Sequence, residues 1–305
     1  MGESKAGRTR AVRRVLWRVL FMNLAVAGAK LFLGWQVGAI SLVADGLHSV
    51  LDGSSNIVGL IGIALAARPP DAEHPYGHRR FETIAAVIIG LLIGAGFVEI
   101  LREVVRGLLG QRPAPEASWL ATGVVAATVF VNVAISRYEA RRAKELGSSL
   151  LAADAQHTAT DALAAVAVLV GFGAIAMGYV WADLLIATLV SVLIAIVAWR
   201  ILRQNVGALA DKAQLDPTQV VRVARSHPGV LGANCVRSRG TPDYVQLDLH
   251  VQLDPTLSLR KAHAMTHEVA DVLQRAFPQL ADVVIHTEPA DSADFDAESD
   301  RRTPP

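Results

Sequence analysis

The sequence contains very little cysteine and comparatively little charge. A single cysteine, Cys235, occurs among the 305 residues, which excludes a disulfide framework or a cysteine-ligated zinc site within one chain. Charged residues make up only 19% of the chain and hydrophobic residues 52%, and that charged fraction is low for a soluble protein. The net charge of +1 argues against a nucleic-acid partner, because phosphate binding requires an excess of basic side chains.

The chain has instead a series of long apolar segments. A helix needs about 20 mostly apolar residues to cross a bilayer. The segments that meet this need are residues 15–35, 40–67, 81–101, 119–135, 150–178 and 181–201. The sequence therefore predicts a polytopic α-helical membrane protein in contact with the lipid bilayer, with six transmembrane helices in residues 15–206 and a basic arm in residues 1–14.

Basic residues are distributed unequally among the loops. They are frequent in the arm and in the loops after the second and fourth spans, whereas the loop between the first and second spans has none. The connection between the third and fourth spans is also basic, although six spans place it on the side of the membrane away from these loops. Because short cytoplasmic loops carry the excess of lysine and arginine, we expect both termini to lie on the cytoplasmic side of the cell (inner) membrane.

A soluble pattern follows the last apolar segment, in residues 207–290. Two stretches have a helical pattern and three read as strands, in the order 216–226, 234–239, 244–253, 257–277 and 282–287. This α-β-β-α-β order predicts a small cytoplasmic α+β domain with two helices on one face of a three-stranded sheet. Residues 291–305 are acidic and end in proline, and we expect this tail to be disordered.

Two pairs of polar residues interrupt the apolar segments with the same spacing. His48 and Asp52 lie in the second segment, and His157 and Asp161 lie in the fifth. Residues four apart share one face of a helix, and burying them in a bilayer is costly unless they have a function. Four nitrogen and oxygen ligands suit tetrahedral zinc. Asp45 either holds the His48 imidazole in place or makes only a helix hydrogen bond.

These two pairs have other interpretations besides a metal site. The pairs could form interhelical hydrogen bonds or line a wet crevice, but two copies of one spacing favour a metal. Ligand histidines and carboxylates must lose their protons to bind a metal, so a site that takes either a metal or protons predicts an antiporter. An intramembrane metallohydrolase, the enzymatic alternative, would need a His-Glu-x-x-His pattern that neither span contains. A membrane metal sensor that transports nothing remains the other alternative.

Further histidines lie outside the apolar segments. The loop after the second span contains Asp71, His74 and His78, which predict a secondary metal site if the loop is not merely solvated. The C-terminal domain contains His250, His263, His267, His286 and Glu288. Only folding, or a partner chain, can bring these residues together, and the alternative is a set of surface histidines.

Several motifs resemble those of one transporter family. They are ADGLHSVLD and DAQHTATD in the spans, HPYGHRRFE in the loop, and VQLDLHV, KAH and VIHTEP in the C-terminal domain. Over residues 10–290 the chain resembles the cation diffusion facilitator family. The resemblance implies a homodimer that exchanges a divalent metal, most often zinc, for protons by alternating access. It also implies that the cytoplasmic domain is ferredoxin-like and lies at the dimer interface.

The resemblance also assigns roles to individual residues. The ligands of the transport site would be the two His/Asp pairs, and a loop site would use Asp71, His74 and His78. A cytoplasmic site would use His250, His263, His286 and Glu288. Arg80 and Asp211 would form a charge pair that holds the helices of the dimer together. Asn234 stands where the family pattern has another histidine, which favours a single cytoplasmic ion, or none, over a binuclear site.

The sequence as a whole therefore predicts efflux of a divalent cation, most simply Zn²⁺, in exchange for protons. The same ligand atoms also suit Fe²⁺, Mn²⁺, Co²⁺, Ni²⁺ and Cd²⁺, which remain alternatives as the transported ion. Zinc would act as cargo and also as a regulatory ion in the cytoplasmic domain. We expect no enzymatic activity.

Overall fold

A computed structural model describes residues 2–37, 49–50, 53–109, 119–177 and 180–290 of the chain. His48, Asp52 and Asp45 lie outside these ranges, as does the predicted acidic tail. The chain forms two compact units, Met1–Val206 and Gly207–Pro305. The first unit is helical, and the second combines helices with a sheet.

The described part of the first unit contains six helices, one for each predicted span. They are α1 (Gly2–Val37), α2 (Ser54–Ala66), α3 (Arg80–Leu108), α4 (Trp119–Leu146), α5 (Ser149–Ala176) and α6 (Val180–Leu209). The N-terminal arm is helical and continuous with the first span, because no proline interrupts residues 2–37. The prediction of a polytopic helical membrane domain is confirmed.

The six helices differ in whether their described residues are long and apolar enough to cross a membrane. Within the described ranges, three stretches are long and apolar enough to cross a membrane: Gly7–Leu33, Arg80–Leu108 and Leu185–Leu209. Ser54–Ala66 is a shorter apolar helix. The described parts of α4 and α5 do not meet that criterion, although both contain a predicted span.

Apolar side chains occupy both the inside and the outside of the helical unit. Leu16, Ile63, Ile89 and Leu150 belong to one buried cluster that joins α1, α2, α3 and α5. Large apolar side chains also point outward, including Phe130 on α4. Helices that are apolar on every side suit a bilayer, where lipid covers the outer face.

The second unit has the predicted α-β-β-α-β order. Its elements are α7 (Pro217–Ala224), β1 (Gly232–Thr241), β2 (Tyr244–Leu253), α8 (Leu259–Ala276) and β3 (Leu280–Pro289). The side chain of Asp216 caps α7 by accepting a hydrogen bond from the Thr218 amide at 2.9 Å. The sheet order is β1-β2-β3. β1 and β2 are antiparallel, and β2 and β3 are parallel with α8 as the crossover.

Strand β2 separates the two faces of this sheet. Its alternate residues Val245, Leu247, Leu249, Val251 and Leu253 are buried and form a core with side chains of α7 and α8. The residues between them, including His250, therefore point to the opposite face, which the two helices do not cover. This division decides which predicted ligands can meet within one chain.

Candidate metal-binding and transport sites

Helix α5 carries the described half of the predicted transport site. His157 and Asp161 lie one helical turn apart, with His157 Nδ1 3.9 Å from Asp161 Oδ1. The His157 side chain is 11% exposed, and its Nδ1 has no hydrogen-bond partner in the described part of the chain. A buried polar nitrogen without a partner is costly, so this geometry suits a cation held between the imidazole and the carboxylate. His48 and Asp52, the other predicted ligands, lie outside the described residues.

Buried polar side chains connect α5 to its neighbours. The Asn23 side chain on α1 donates to Asn56 Oδ1 on α2 at 2.9 Å, and Asn56 Nδ2 donates to Asp154 Oδ2 on α5 at 2.6 Å. Lys30 Nζ on α1 donates to Ser49 Oγ at 2.9 Å, and Ser49 directly follows His48. The bond from Asn56 to Asp154 joins α2 to α5, and the bond from Lys30 places a buried lysine beside Ser49.

The loop between α2 and α3 brings its three predicted ligands together. One candidate ligand atom from each of Asp71, His74 and His78 lies within 4.8 Å of the others. His78 Nε2 is 3.3 Å from Asp71 Oδ2, and His74 Nδ1 is 3.2 Å from Asp71 Oδ1. The carbonyl oxygen of Pro69, 3.1 Å from His78 Nδ1, favours a proton on that nitrogen and leaves Nε2 as the ligand atom.

The Asp71 carboxylate is held in its ionised form. Its Oδ1 accepts hydrogen bonds from the backbone amides of His74 at 2.7 Å and Glu73 at 3.1 Å. The bond from the His74 amide is the main cause that holds the pKa of Asp71 below its ordinary value. The carboxylate therefore remains available to a cation in mildly acid solution, and it is lost as a ligand only when the pH falls through this lowered pKa.

Three predicted ligands meet on the open face of the sheet. His250 and His286 are paired in the parallel register of β2 and β3, and Glu288 lies two residues further along the same face of β3. His250 Nδ1 is 2.8 Å from Glu288 Oε1, and His286 Nε2 is 3.8 Å from the same oxygen. Glu288 Oε2 is buried without a hydrogen-bond partner among the described residues. A cation could bind to it.

His263 does not join this cluster within one chain. It lies on α8, which covers the opposite face of the sheet, and its Nε2 is 3.3 Å from Nε2 of His267. The predicted cytoplasmic set of four residues is therefore split, and only a partner chain could supply His263 to the open face. Asn234 pairs with His250 in the register of β1 and β2, which places it in the same row as the two strand histidines.

The predicted charge pair between Arg80 and Asp211 stays a prediction. Arg80 is the first residue of α3, whereas Asp211 follows α6 and has a positive φ of 55°. The two residues belong to different compact units.

One prominent ion pair was not predicted from the sequence. Arg8 on α1 donates to both oxygens of Glu82 on α3, at 3.0 and 3.1 Å, and Glu82 also accepts from the Ser148 hydroxyl at 2.6 Å. Arg8 donates further to the carbonyl oxygens of Leu146 and Gly147. This network, which we name the Arg8–Glu82 clamp, joins α1, α3 and the turn between α4 and α5. Its partners are more than 60 residues apart in sequence, so no local motif reveals it.

The fold is that of a polytopic helical membrane protein with an α+β domain, and both parts contain clusters of candidate metal ligands. Residues 16–210 match the family described as the cation efflux transmembrane domain. Residues 214–290 match the cytoplasmic domain of cation efflux proteins. The chain belongs to this family of cation efflux transporters, the cation diffusion facilitators, because the first match alone spans more than half of its length.

Two relatives and one solved structure are similar to parts of this chain. An uncharacterized transporter of Methanocaldococcus jannaschii is 30% identical over 271 residues, which cover 87% of this chain and 94% of the relative. The cation-efflux pump FieF of Yersinia pestis is 28% identical over 262 residues, covering 85% of this chain and 87% of the pump. A solved C-terminal domain of MamM is 21% identical, with a TM-score of 0.23, and covers 24% of this chain and 91% of that domain.

The cluster on the sheet gives a prediction for metal binding outside the membrane. Replacing Glu288 by glutamine should weaken zinc binding at this cluster by about 10- to 100-fold, because metal sites lose affinity on this scale even when a supporting hydrogen-bond partner is removed. Calorimetric titration of the purified full-length protein with zinc measures the change in affinity. Asp248→Asn, a change at a partly exposed residue of the neighbouring strand β2, is the control and should leave the affinity unaltered.

Proposed function

We propose that the protein exports Zn²⁺ from the cytoplasm in exchange for protons, by alternating access in a homodimer. The observation that carries this proposal is the buried His157 Nδ1, which lacks a hydrogen-bond partner in the described chain and faces Asp161. An identically spaced pair, His48 and Asp52, occurs in the second predicted span. Together the pairs offer two nitrogens and two carboxylates, a ligand set that zinc accepts.

Charge balance explains why protons would be the counter-ion. Two ionised carboxylates and two neutral imidazoles carry two negative charges, which one Zn²⁺ neutralises. After the metal leaves, one proton on each His/Asp pair restores neutrality. Because a net charge in a bilayer is costly, the site can change its access only when it holds zinc or two protons, and this rule couples the two fluxes.

Each pair would bind its proton through the imidazole. Because a neutral imidazole nitrogen accepts either a proton or a metal, zinc and protons compete for the same atom, and a pH difference across the membrane changes which of them is bound. In the state open to the cytoplasm, zinc displaces the protons from both pairs. In the state open to the other side, protons displace zinc, and the protonated site returns.

The protein would work as a homodimer in the cell (inner) membrane. The cytoplasmic domain would join two protomers, and His263 of one chain would complete the cluster of His250, His286 and Glu288 on the open sheet face of the other. Zinc bound there would favour one state of the dimer. The basic loops support insertion in the cell (inner) membrane with both termini in the cytoplasm.

Flux through proteoliposomes tests the proposal. Purified protein in vesicles with an acidic lumen should take up zinc, and collapse of the pH gradient by an ionophore should stop the uptake. A panel of Fe²⁺, Mn²⁺, Co²⁺, Ni²⁺ and Cd²⁺ identifies the transported ions. Zinc binding without any gradient-driven uptake would favour the metal sensor and refute the transporter proposal.

His48 should determine much of the metal preference. We expect His48→Asp to retain transport but to broaden selectivity, because a third carboxylate makes the site harder and less selective for zinc. The measurement is the ratio of zinc flux to manganese flux in the same vesicles. An unchanged ratio would refute this role of His48.

A further inference from the structure

Two acidic side chains that the four-ligand site does not use meet between α4 and α5. Glu139 on α4 and Asp154 on α5 are both fully buried, each with 0% exposure. Their carboxyl groups are neighbours, and the Thr158 hydroxyl, one turn after Asp154 on α5, reaches Glu139 Oε2 at 3.2 Å. Buried carboxylates are normally paired with a cation or coordinate a metal, so this Glu139–Asp154 pair requires an explanation.

Among the described residues, neutral side chains donate hydrogen bonds to only two of the four carboxyl oxygens of Glu139 and Asp154. Asn56 Nδ2 donates to Asp154 Oδ2 at 2.6 Å, and the Thr158 hydroxyl is shared between Glu139 Oε2 and the backbone carbonyl oxygen of Asp154, each at 3.2 Å. The other two oxygens, Glu139 Oε1 and Asp154 Oδ1, are buried and have no hydrogen-bond donor within the described ranges. Each carboxyl group thus has one satisfied oxygen and one that still lacks a proton donor.

No basic side chain among the described residues forms an ion pair with either carboxyl group. On α1, Arg8 pairs with Glu82, Arg18 donates to Tyr138, and Lys30 donates to Ser49. On α5, His157 Nδ1 lies 3.9 Å from Asp161 Oδ1. Helix α2, which supplies Asn56, contains no charged residue.

A single proton satisfies this arrangement. Two buried carboxylates in contact cannot both be ionised without a large repulsion, whereas one proton converts the contact into a hydrogen bond. A divalent metal fits poorly, because the pair offers only two oxygens without donors. The groups of three or more candidate ligands in the described part of the chain lie in the α2–α3 loop and on the sheet.

We propose that Glu139 and Asp154 together bind one exchangeable proton, at a site separate from the predicted zinc ligands. The proton joins the two carboxyl groups and so fastens α4 to α5. Asp154 precedes His157 by three residues, or about 4.5 Å along the helix axis, and it is nearer to the predicted cytoplasmic end of α5. When α5 moves relative to α4, water from the cytoplasmic side reaches the pair, and the proton leaves to that water and leaves two solvated carboxylates. A proton from the same side rebinds when the helices close, so the pair adds no proton to those exchanged for zinc.

The link between this proton and the movement of α5 rests on the proposed antiport. The proton itself can be detected without transport. Infrared difference spectra of the full-length protein in lipid vesicles, recorded between neutral and alkaline pH, should show the carbonyl band of a protonated carboxylic acid. Glu139→Gln and Asp154→Asn should each remove this band. Glu145→Gln, a change at an exposed acid of the same helix that pairs with Arg142, should leave the band unaltered.

Glu139→Gln has a second expected effect, which distinguishes loss of the proton site from misfolding of the variant. Its amide donates permanently to Asp154, so the α4–α5 contact no longer depends on a proton. The wild-type protein should lose thermal stability at alkaline pH, and the Glu139→Gln variant should lose less of it. A band that persists in both variants, or an equal loss of stability in the wild type and Glu139→Gln, would overturn the proposal.

A metal at this pair is a distinct outcome of the same experiment. If zinc added to Asp161→Ala protein abolishes the carboxylic acid band, the pair is a cation site and the proton assignment is wrong. If the band behaves as expected but no gradient drives zinc uptake, the proton site stands and the antiport proposal fails. The two proposals can therefore fail separately.

Discussion

Replacing Asp161 by alanine is expected to abolish proton-driven zinc uptake while leaving the fold intact. The side chain is 31% exposed and faces His157 across one helical turn. Its loss removes one of four proposed ligands and one of the two negative charges that balance zinc. A zinc-loaded site would then carry a net positive charge, which is costly inside a bilayer.

The loss of zinc flux in Asp161→Ala should be larger than the loss caused by removing a residue that only supports a ligand. Loss of a residue that only supports a ligand costs about 10- to 100-fold in metal affinity or activity, so we expect the flux to fall by at least ~100-fold. Zinc uptake into proteoliposomes measures it. Glu99→Ala, which removes an exposed acid from α3, is the matched control and should retain uptake. Wild-type flux in the Asp161→Ala variant would show that this residue is not part of the transport site.

Replacing Arg8 by alanine should destabilise the helical unit strongly, although Arg8 lies in the N-terminal arm. The Glu82 side chain is 6% exposed and accepts both guanidinium hydrogen bonds from Arg8. Without Arg8, the carboxylate is left buried with only the Ser148 hydroxyl as donor among these partners. Removing one partner of a buried ion pair typically costs about 3–5 kcal/mol, and the Arg8 side chain is itself 18% exposed, so we expect a loss near the lower limit.

Equilibrium unfolding in detergent measures this loss, and two variants control for it. Arg142→Ala removes the exposed pair with Glu145 and should cost less than about 1 kcal/mol. The double change Arg8→Met and Glu82→Gln removes the charge as well as its partner, so it should recover much of the stability lost in Arg8→Ala. Equal costs for Arg8→Ala and Arg142→Ala would contradict the importance of the Arg8–Glu82 clamp.

The features that could be predicted from the sequence depend on local periodicity. His157 and Asp161 are four residues apart, and helix geometry alone places them on one face. Asp71, His74 and His78 are close in the chain, so a short loop brings them together. The alternation in β2 likewise fixed which residues are buried, and the structure has these residues in its sheet core.

Other features depend on contacts that local patterns do not contain. The meeting of His250 with His286 requires the parallel register of β2 and β3, which is set by the whole domain. The position of α8 on the opposite face keeps His263 away from that cluster in one chain. The Arg8–Glu82 clamp and the contact between Glu139 and Asp154 join separate helices, so their sequence spacing carries no signal.

We expect one zinc ion to exchange for two protons in an electroneutral step. Vesicles that contain the full-length protein allow zinc uptake and luminal pH to be recorded together, with the membrane potential set by potassium and valinomycin. We predict two protons released for each zinc taken up, and a zinc flux that does not change when the potential is varied. Zinc uptake that persists without proton movement, or that follows the potential rather than the pH gradient, would contradict this mechanism.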